Sequence, residues 1–310
     1  RKSISTEWDY LRLDSHNYTC LELIKILSRQ RNGTVVFNMS VLGINIWPVV
    51  LLKLLKNKVI LLPHVVVSPL KSKPKFRLIR YIMQIFCLRI ADQIIAISDG
   101  NWTELGKLVN ARKLSVVYNY VKCENSEPFK VENYNRQIAI VGRLQDTHKQ
   151  QLTFLTENKQ FLMDHGIHVH LFGSGPDEQI IVDYVQNHLL NEHVTLHGWK
   201  DLGEIYENKF LFFLNLSIWE GLPLSVLEGI YHNRIVIVSN ILGNRELVCD
   251  EYTFNSNEEL QKLLKRFVVD FDIDQDLLSQ QKKRVYERYN SENGLSNMVA
   301  AISKIDKANA

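Results

Sequence analysis

Short, unbroken apolar runs alternate with segments of helical period along nearly the whole chain, and this alternation restricts the fold more than any other feature. Runs such as Gln137-Ile-Ala-Ile-Val141 and Phe210-Leu-Phe-Phe-Leu-Asn-Leu216 are short, continuous and bounded by turn residues. They read as strands buried on both faces of a parallel sheet. Strands are expected at 34–39, 58–64, 93–97 and 114–118, then at 137–141, 168–172, 194–197, 210–216 and 235–238. Helices are expected at 44–55 and 75–90, after Ser98, at 152–163 and 177–189, and from Asp201, Leu224 and Glu258 onward. Strands that alternate with helices make parallel sheets covered on both faces.

The rhythm fails once, over 119–135, where polar residues replace the apolar period. A chain of 310 residues exceeds the usual ~100–200 of one domain. The reading is therefore α/β, with two Rossmann-like doubly wound domains facing a central cleft. Residues 1–119 form the N-terminal domain, 120–135 a linker, 136–288 the C-terminal domain, and 289–310 a helix and tail packing back on the first domain. No opening strand with a glycine-rich loop precedes the first helix pattern at Cys20 to Ser28, so the N-terminal domain is read as lacking its first strand. Ligands in such sheets gather at the C-terminal ends of the strands.

Singular residues fall at those ends. After 210–216 comes Trp219-Glu220-Gly221-Leu222-Pro223-Leu224-Ser225, with Glu228 inside the helix that follows. Pro223 suits the first turn of that helix. The first N–H groups of a helix lack intrahelical partners and attract anions, and the two carboxylates beside them suit sugar or ribose hydroxyls. After 137–141 comes Gly142-Arg143-Leu144 with Lys149, two cations in one loop. They suit a diphosphate, or are a solvated surface pair. After 168–172 comes Gly173-Ser174-Gly175-Pro176, a turn that admits a backbone or a ligand; Glu178 stands where a dinucleotide fingerprint needs its third glycine. After 194–197 comes Gly198-Trp199, where Gly198 leaves room for a flat base and Trp199 either packs or stacks.

This set, in this order, resembles the family 4 retaining glycosyltransferases of the two-Rossmann-domain (GT-B) architecture, its most specific part being the Glu-x7-Glu stretch from Glu220 to Glu228. The resemblance implies that Arg143 and Lys149 hold the nucleotide diphosphate and stabilise it as leaving group. It implies that Glu220 meets donor-sugar hydroxyls, and that the backbone of Gly221, Leu222, Pro223, Leu224 and Ser225 meets sugar and phosphate. Glu228 is then the ribose ligand, with Gly173, Gly175, His197, Gly198 and Trp199 around the base. His64, at a strand end in the other half, matches a histidine aimed at the donor sugar, or is a satisfied buried histidine. Ser98 and Asn119 fall where the family has Ser and Asn; Ser98 also suits a helix cap and Asn119 a hinge.

The activity implied is metal-independent transfer of a hexosyl unit, with retention, from a UDP- or GDP-sugar to a glycan or lipid-linked acceptor in bacterial surface polysaccharide synthesis. Alternatives are a nucleotide-sugar epimerase of the same architecture and a non-catalytic accessory subunit. No cofactor is expected, and no Asp-x-Asp metal site is seen. The segment Gly243-Asn-Arg-Glu246 only partly matches the family.

Charge divides the chain. Residues 1–130 carry 20 Lys+Arg against 9 Asp+Glu, a balance of +11, and the remaining 17 against 25 give −8. The basic excess peaks at Lys71, Lys73, Lys75, Arg77 and Arg80, ahead of an apolar helix pattern. Two readings are open: a footing on an anionic membrane, or a solvated loop before a core helix. No motif of a nucleic-acid reader accompanies it. No run approaches the ~20 apolar residues of a membrane span, and the segment 41–55 reads as a buried helix. Cys20, Cys87, Cys123 and Cys249 are scattered, and an Asn-x-Ser sequon at Asn215 lies inside an expected strand, where no glycan fits. The expected location is cytoplasmic, peripheral on the inner face of the plasma membrane.

Overall fold

The computed structural model describes residues 24–25, 27–29, 31–39, 46–64, 77–121, 135–207, 210–290, 294 and 296–301. Lys71, Lys73, Lys75, Cys20, Cys123, most of the helix pattern from Cys20 and linker residues 122–134 lie outside them.

The first sheet is built from β1 (Thr34–Met39), β2 (Lys58–Pro63), β3 (Gln93–Ala96) and β4 (Leu114–Val116), all parallel and in the order β1-β2-β3-β4. Between these strands run α1 (Trp47–Leu54), α2 (Arg77–Ile90) and α3 (Asp99–Gly106). Alternation along β2 and β3 sends Val59, Leu61, Ile94 and Ala96 into a core with Val49, Leu52 and Leu88. Ile60, Leu62 and Ile95 point the other way and join a cluster continuous with the core of the second sheet. The segment read as a buried helix is only half so. Val49 and Leu52 are fully buried, while Leu54 is 75% exposed, because α1 covers one face of the sheet and leaves its outer side to solvent.

The second sheet contains β5 (Gln137–Val141), β6 (His168–Phe172), β7 (Val194–Gly198), β8 (Phe212–Asn215), β9 (Ile235–Ser239) and β10 (Thr253–Phe254). All are parallel, in the order β10-β9-β8-β5-β6-β7. Counted from β5 this is the Rossmann order, and the direction of winding reverses between β5 and β8. The continuous apolar runs are buried as expected: Ile138, Ala139, Phe212 and Val236 are at most 1% exposed. The helices here are α4 (Asp146–Lys149), α5 (Gln151–Asp164), α6 (Glu178–Asn187), α7 (Leu202–Glu207), α8 (Leu224–Tyr231), α9 (Leu242–Arg245), α10 (Asn257–Leu263) and α11 (Gln275–Tyr289). The single turns α4 and α9 and the two-residue β10 carry too few residues to show a period, and sequence reading missed them.

The end of α11 ties the halves together. Val121 bridges to Asn290, the Arg288 guanidinium lies 4.2 Å over the Tyr118 ring and meets the Asp99 carboxylate, and Tyr118 meets Tyr289 edge-on at 5.5 Å. No helix among the described residues is long and apolar enough to cross a membrane.

Candidate active site

Where the sheet reverses, the loops after β5 and β8 leave on opposite sides and open a crevice. Arg143 and Lys149 follow β5; Glu220 and the start of α8 follow β8. The structure pairs Lys149 with Glu220 across these two loops.

Lys149, the last residue of α4, places its ammonium on Glu220 Oε1. Both side chains are mostly buried, at 17% and 12% exposure, so the pair is screened by water less than a surface pair would be. The same oxygen accepts from Ser217 Oγ at 2.8 Å. His148 fixes the turn on which Lys149 sits. Its ring stacks on Trp219 at 3.7 Å, its Nε2 meets the Trp219 carbonyl at 2.7 Å, and its own carbonyl accepts from Ile218 N–H at 3.0 Å. Arg143 is exposed, and among the described residues no acceptor meets its guanidinium. Its carbonyl accepts at 2.9 Å from the amide of Gln151, which is 1% exposed, so a buried side chain sets the backbone that carries Arg143.

Gly173 and Gly175 have a visible structural duty. A Cβ on Gly173 would fall on the Gly142 carbonyl oxygen and one on Gly175 on that of Leu144, while Leu144 N–H donates to Ser174 carbonyl at 3.0 Å. The small turn after β6 thus admits a backbone, the loop that carries Arg143. His197 packs inward, stacked on Phe172 at 4.3 Å and 2.9 Å from His170 Nδ1. Burial, together with His168 and His197, pushes His170 down to about 4, and burial also lowers His197. Gly198 is in the left-handed region at φ 66° with open space where a side chain would be, and Trp199 is 70% exposed. Of the two roles open to Trp199, core packing is excluded.

Pro223 takes the N-cap position of α8, with φ −75° and ψ 110°, rather than a place in the first turn. No side chain caps the helix, so its first N–H groups stay available to an anion. Leu222 and Pro223 are buried, Ser225 is half-buried, and Leu224 is 43% exposed. Glu228, in the second turn, is raised by burial to about 7.

The first sheet approaches this loop through main-chain groups. A Cβ on Gly221 would fall on the His64 carbonyl oxygen, so only glycine allows the two halves to meet here. Ser98 Oγ donates to the Gly221 carbonyl at 2.9 Å and accepts from Asn101 N–H at 3.0 Å, acting as cap and cross-link at once. His64 is half-buried, and burial lowers its pKa. Asn119 extends β4, donating its backbone N–H to Ile97 at 3.1 Å.

Sequence reading missed Ser217, His148, Gln151 and Glu246. The Glu246 carboxylate, from α9's end, accepts from the N–H groups of Asp99 at 3.0 Å and Gly100 at 2.5 Å, and from Tyr289 OH at 3.3 Å. Only the partial match of the segment from Gly243 pointed toward it.

The sequence model of the family described as Glycosyl transferases group 1 matches residues 121–288. A curated Escherichia coli protein, UDP-Gal:alpha-D-GlcNAc-diphosphoundecaprenol alpha-1,3-galactosyltransferase, is 29% identical over 185 residues, covering 54% of this chain and 46% of its own length. The chain therefore spans about half the length of that relative. Anabaena HepE, solved with UDP-glucose, superposes with TM-score 0.72 at 13% identity, covering 91% of this chain and 82% of that one. A Staphylococcus aureus TarM mutant, solved with UDP, gives 0.65 at 15% identity over 79% and 50%. These two likenesses show the fold.

Proposed function

The chain belongs to the family Glycosyl transferases group 1, and on that premise we propose that it moves a hexosyl unit from a UDP- or GDP-sugar to a glycan or lipid-linked acceptor in bacterial surface polysaccharide synthesis. The observation that carries this reading is the pairing of Lys149 with Glu220 at the switch point, with Arg143 in the same loop as Lys149 and the uncapped start of α8 following Glu220. Arg143 and Lys149 take the diphosphate, with the N–H groups of Leu224 and Ser225. Glu220 takes sugar hydroxyls beside Gly221, Leu222 and Pro223, Glu228 the ribose, and the Gly198–Trp199 turn the base. His64, Ser98 and Asn119 form the wall across the cleft.

Transfer breaks the bond between the sugar's anomeric carbon and the diphosphate oxygen and forms one to the acceptor oxygen on the same face. The acceptor's proton passes to the leaving phosphate oxygen. Negative charge grows on the diphosphate, which in this reading Arg143, Lys149 and the helix N–H groups meet, and one such group typically lowers a barrier by about 3–4 kcal/mol. In this reading these groups replace a metal ion. Retention is supported by the α linkage in the E. coli relative's name, and a uridine nucleotide by the UDP in that name and in the names of the two solved structures. The same reading sets the chain in the cytoplasm, at the inner face of the plasma membrane, with Lys71, Lys73, Lys75, Arg77 and Arg80 toward anionic lipid.

The deciding experiment is a thermal-shift screen of UDP, GDP and their sugars, followed by transfer from the stabilising donor with the product's anomeric configuration read by NMR, with and without EDTA. Stabilisation by UDP or GDP and an α product formed in EDTA are expected. No shift with any nucleotide would overturn the donor reading, a β product retention, and loss of activity in EDTA metal independence.

A further inference from the structure

One residue is tied to both loops of the switch point and has no part yet in the proposed transfer. His148 belongs to the loop after β5 and stands next to Lys149, yet its ring lies flat on Trp219, the neighbour of Glu220, at 3.7 Å and 6°. The His148 carbonyl accepts from Ile218 N–H at 3.0 Å, so its backbone too is held by the loop after β8. Its Nε2 is 2.7 Å from the Trp219 carbonyl, and because a carbonyl only accepts, Nε2 carries a proton and donates. The same Nε2 lies 4.0 Å from Glu220 Oε1.

Glu220 is one-sided. Lys149 and Ser217 Oγ both donate to Oε1, while Oε2 has no hydrogen-bond partner among the described residues. The carboxylate is 12% exposed, so if Lys149 leaves it, a mostly buried charge keeps a single neutral donor, which is a costly state. A replacement has to be close. Among the described residues His148 Nε2 is the only other basic nitrogen within 4.0 Å of this carboxylate. Lys149 has a way out: a Cβ on Gly142 would meet its stem at 3.6 Å, so this flexible side chain runs along the residue that precedes Arg143. His148 has none, since the ring stack and the backbone bond hold it beside Trp219.

We propose that His148 is a positioning residue that takes over Glu220 when Lys149 turns to the diphosphate. Its Nε2–H passes from the Trp219 carbonyl to Oε1, and Oε2 is left directed at a donor-sugar hydroxyl. The proposal rests on the roles given above to Lys149 and Glu220. One donor replaces another on the same oxygen, so the carboxylate keeps two donors throughout, Ser217 being the constant one. A bound diphosphate thereby sets the carboxylate that reads the sugar.

The test is calorimetric titration with UDP and with GDP of three full-length chains: wild type, His148→Phe, which keeps a ring on Trp219 and loses Nε2–H, and His148→Gln, which keeps an N–H donor. Each is also made on a Glu220→Gln background, and melting curves confirm folding. His148→Ala stands in for His148→Phe if the latter melts below the assay temperature. His148→Phe is expected to bind the nucleotide about tenfold more weakly than wild type, and His148→Gln to stay within about threefold of it. On the Glu220→Gln background the loss should vanish, because no charge there needs a partner. Equal binding by wild type and His148→Phe overturns the inference. So does an equal loss on both backgrounds, since His148 would then only hold the turn of Lys149. Either of these failures leaves the donor reading standing, whereas a wild type that binds neither nucleotide removes that reading and the inference with it.

Discussion

Counted along the chain, the first sheet keeps its strands in the order β1-β2-β3-β4, whereas the second runs β10-β9-β8-β5-β6-β7 and reverses between β5 and β8. The reversal parts the loops after β5 and β8 and leaves room between them for charged side chains that face one another. Among the described residues the first sheet shows no reversal, and its strand ends reach the cleft mostly through main-chain groups: the His64 carbonyl, the capping Ser98 and the N–H groups that open α3. One half thus holds charge, and the other offers a shaped wall. Net charge runs against this division, since the half with Arg143 and Lys149 is the acidic one. An anion bound there is held by local placement rather than by the field of the domain.

Removing charge from the switch point should have the largest effect. Lys149→Ala is expected to lower kcat by about 10²–10³, the usual cost of losing one preorganised group at a developing anion. Glu220→Gln should also lower transfer, yet tighten UDP. Lys149 is paired with Glu220, and in the proposed reading the diphosphate draws it away. Titration of both variants with UDP and UDP-sugar tests this; weaker UDP binding by Glu220→Gln would remove the idea that Glu220 competes for Lys149.

Next in size come the glycines at the two kinds of meeting point. Gly173→Ala sets a Cβ on the Gly142 carbonyl inside the second sheet and should lower stability by about 1–3 kcal/mol, seen as an earlier urea midpoint. Gly221→Ala sets its Cβ on the His64 carbonyl between the halves. It should leave the second sheet's unfolding nearly unchanged while lowering transfer, because the loop of Glu220 and α8 must shift. If both variants lose the same stability, the two halves unfold as one cooperative unit.

Glu228 gives a pH signature opposite in sign to that of His64, the half-buried histidine at the end of β2. Its carboxyl titrates near 7 when folded and near 4.5 when free, so between those values the folded chain holds a proton that the unfolded chain has released. Stability from this group is therefore full below about 4.5 and declines as pH rises through about 7. The melting temperature of Glu228→Gln should fall less than wild type between pH 5 and 8. Donor affinity should rise over the same range in wild type, as the ionised carboxylate becomes the better acceptor for ribose hydroxyls.

How much of this was legible depends on range along the chain. The strand ladder and the helix starts followed from local period and turn chemistry, and nearly every strand lies within two residues of its expected bounds. The loops with Arg143, Gly173, Gly198 and Glu220 were placed at strand ends for the same reason. Contacts between distant segments left no local trace. Lys149 meets Glu220 across 71 residues, and Glu246 reaches Gly100 across 146. A lone Ser, His or Gln that positions a neighbour looks like any surface residue until the fold buries it. Pro223 shows a finer limit: a proline's φ suits both the N-cap and the first turn, and only ψ, which the fold decides, separates them.

The smallest expected effects lie at the braces between the halves. Arg288 meets Asp99 with both side chains well exposed, at 38% and 51%, and such pairs contribute about 0–1 kcal/mol. Glu246 differs in kind, because its carboxylate covers two N–H groups at the start of α3 and takes a third bond from Tyr289. A carboxylate at a helix start is worth about 0.3–1 kcal/mol through the dipole, and N–H groups left unmet cost more where they are shielded from water. Glu246→Ala should therefore lower stability by about 1–2 kcal/mol and Arg288→Ala by under ~1, and the two effects should add poorly, since both act through Asp99 and Tyr289. A double-mutant cycle on urea midpoints measures this directly. Strict additivity would mean that the two braces are independent, and that the halves are held by Gly221 and Ser98 more than by the end of α11.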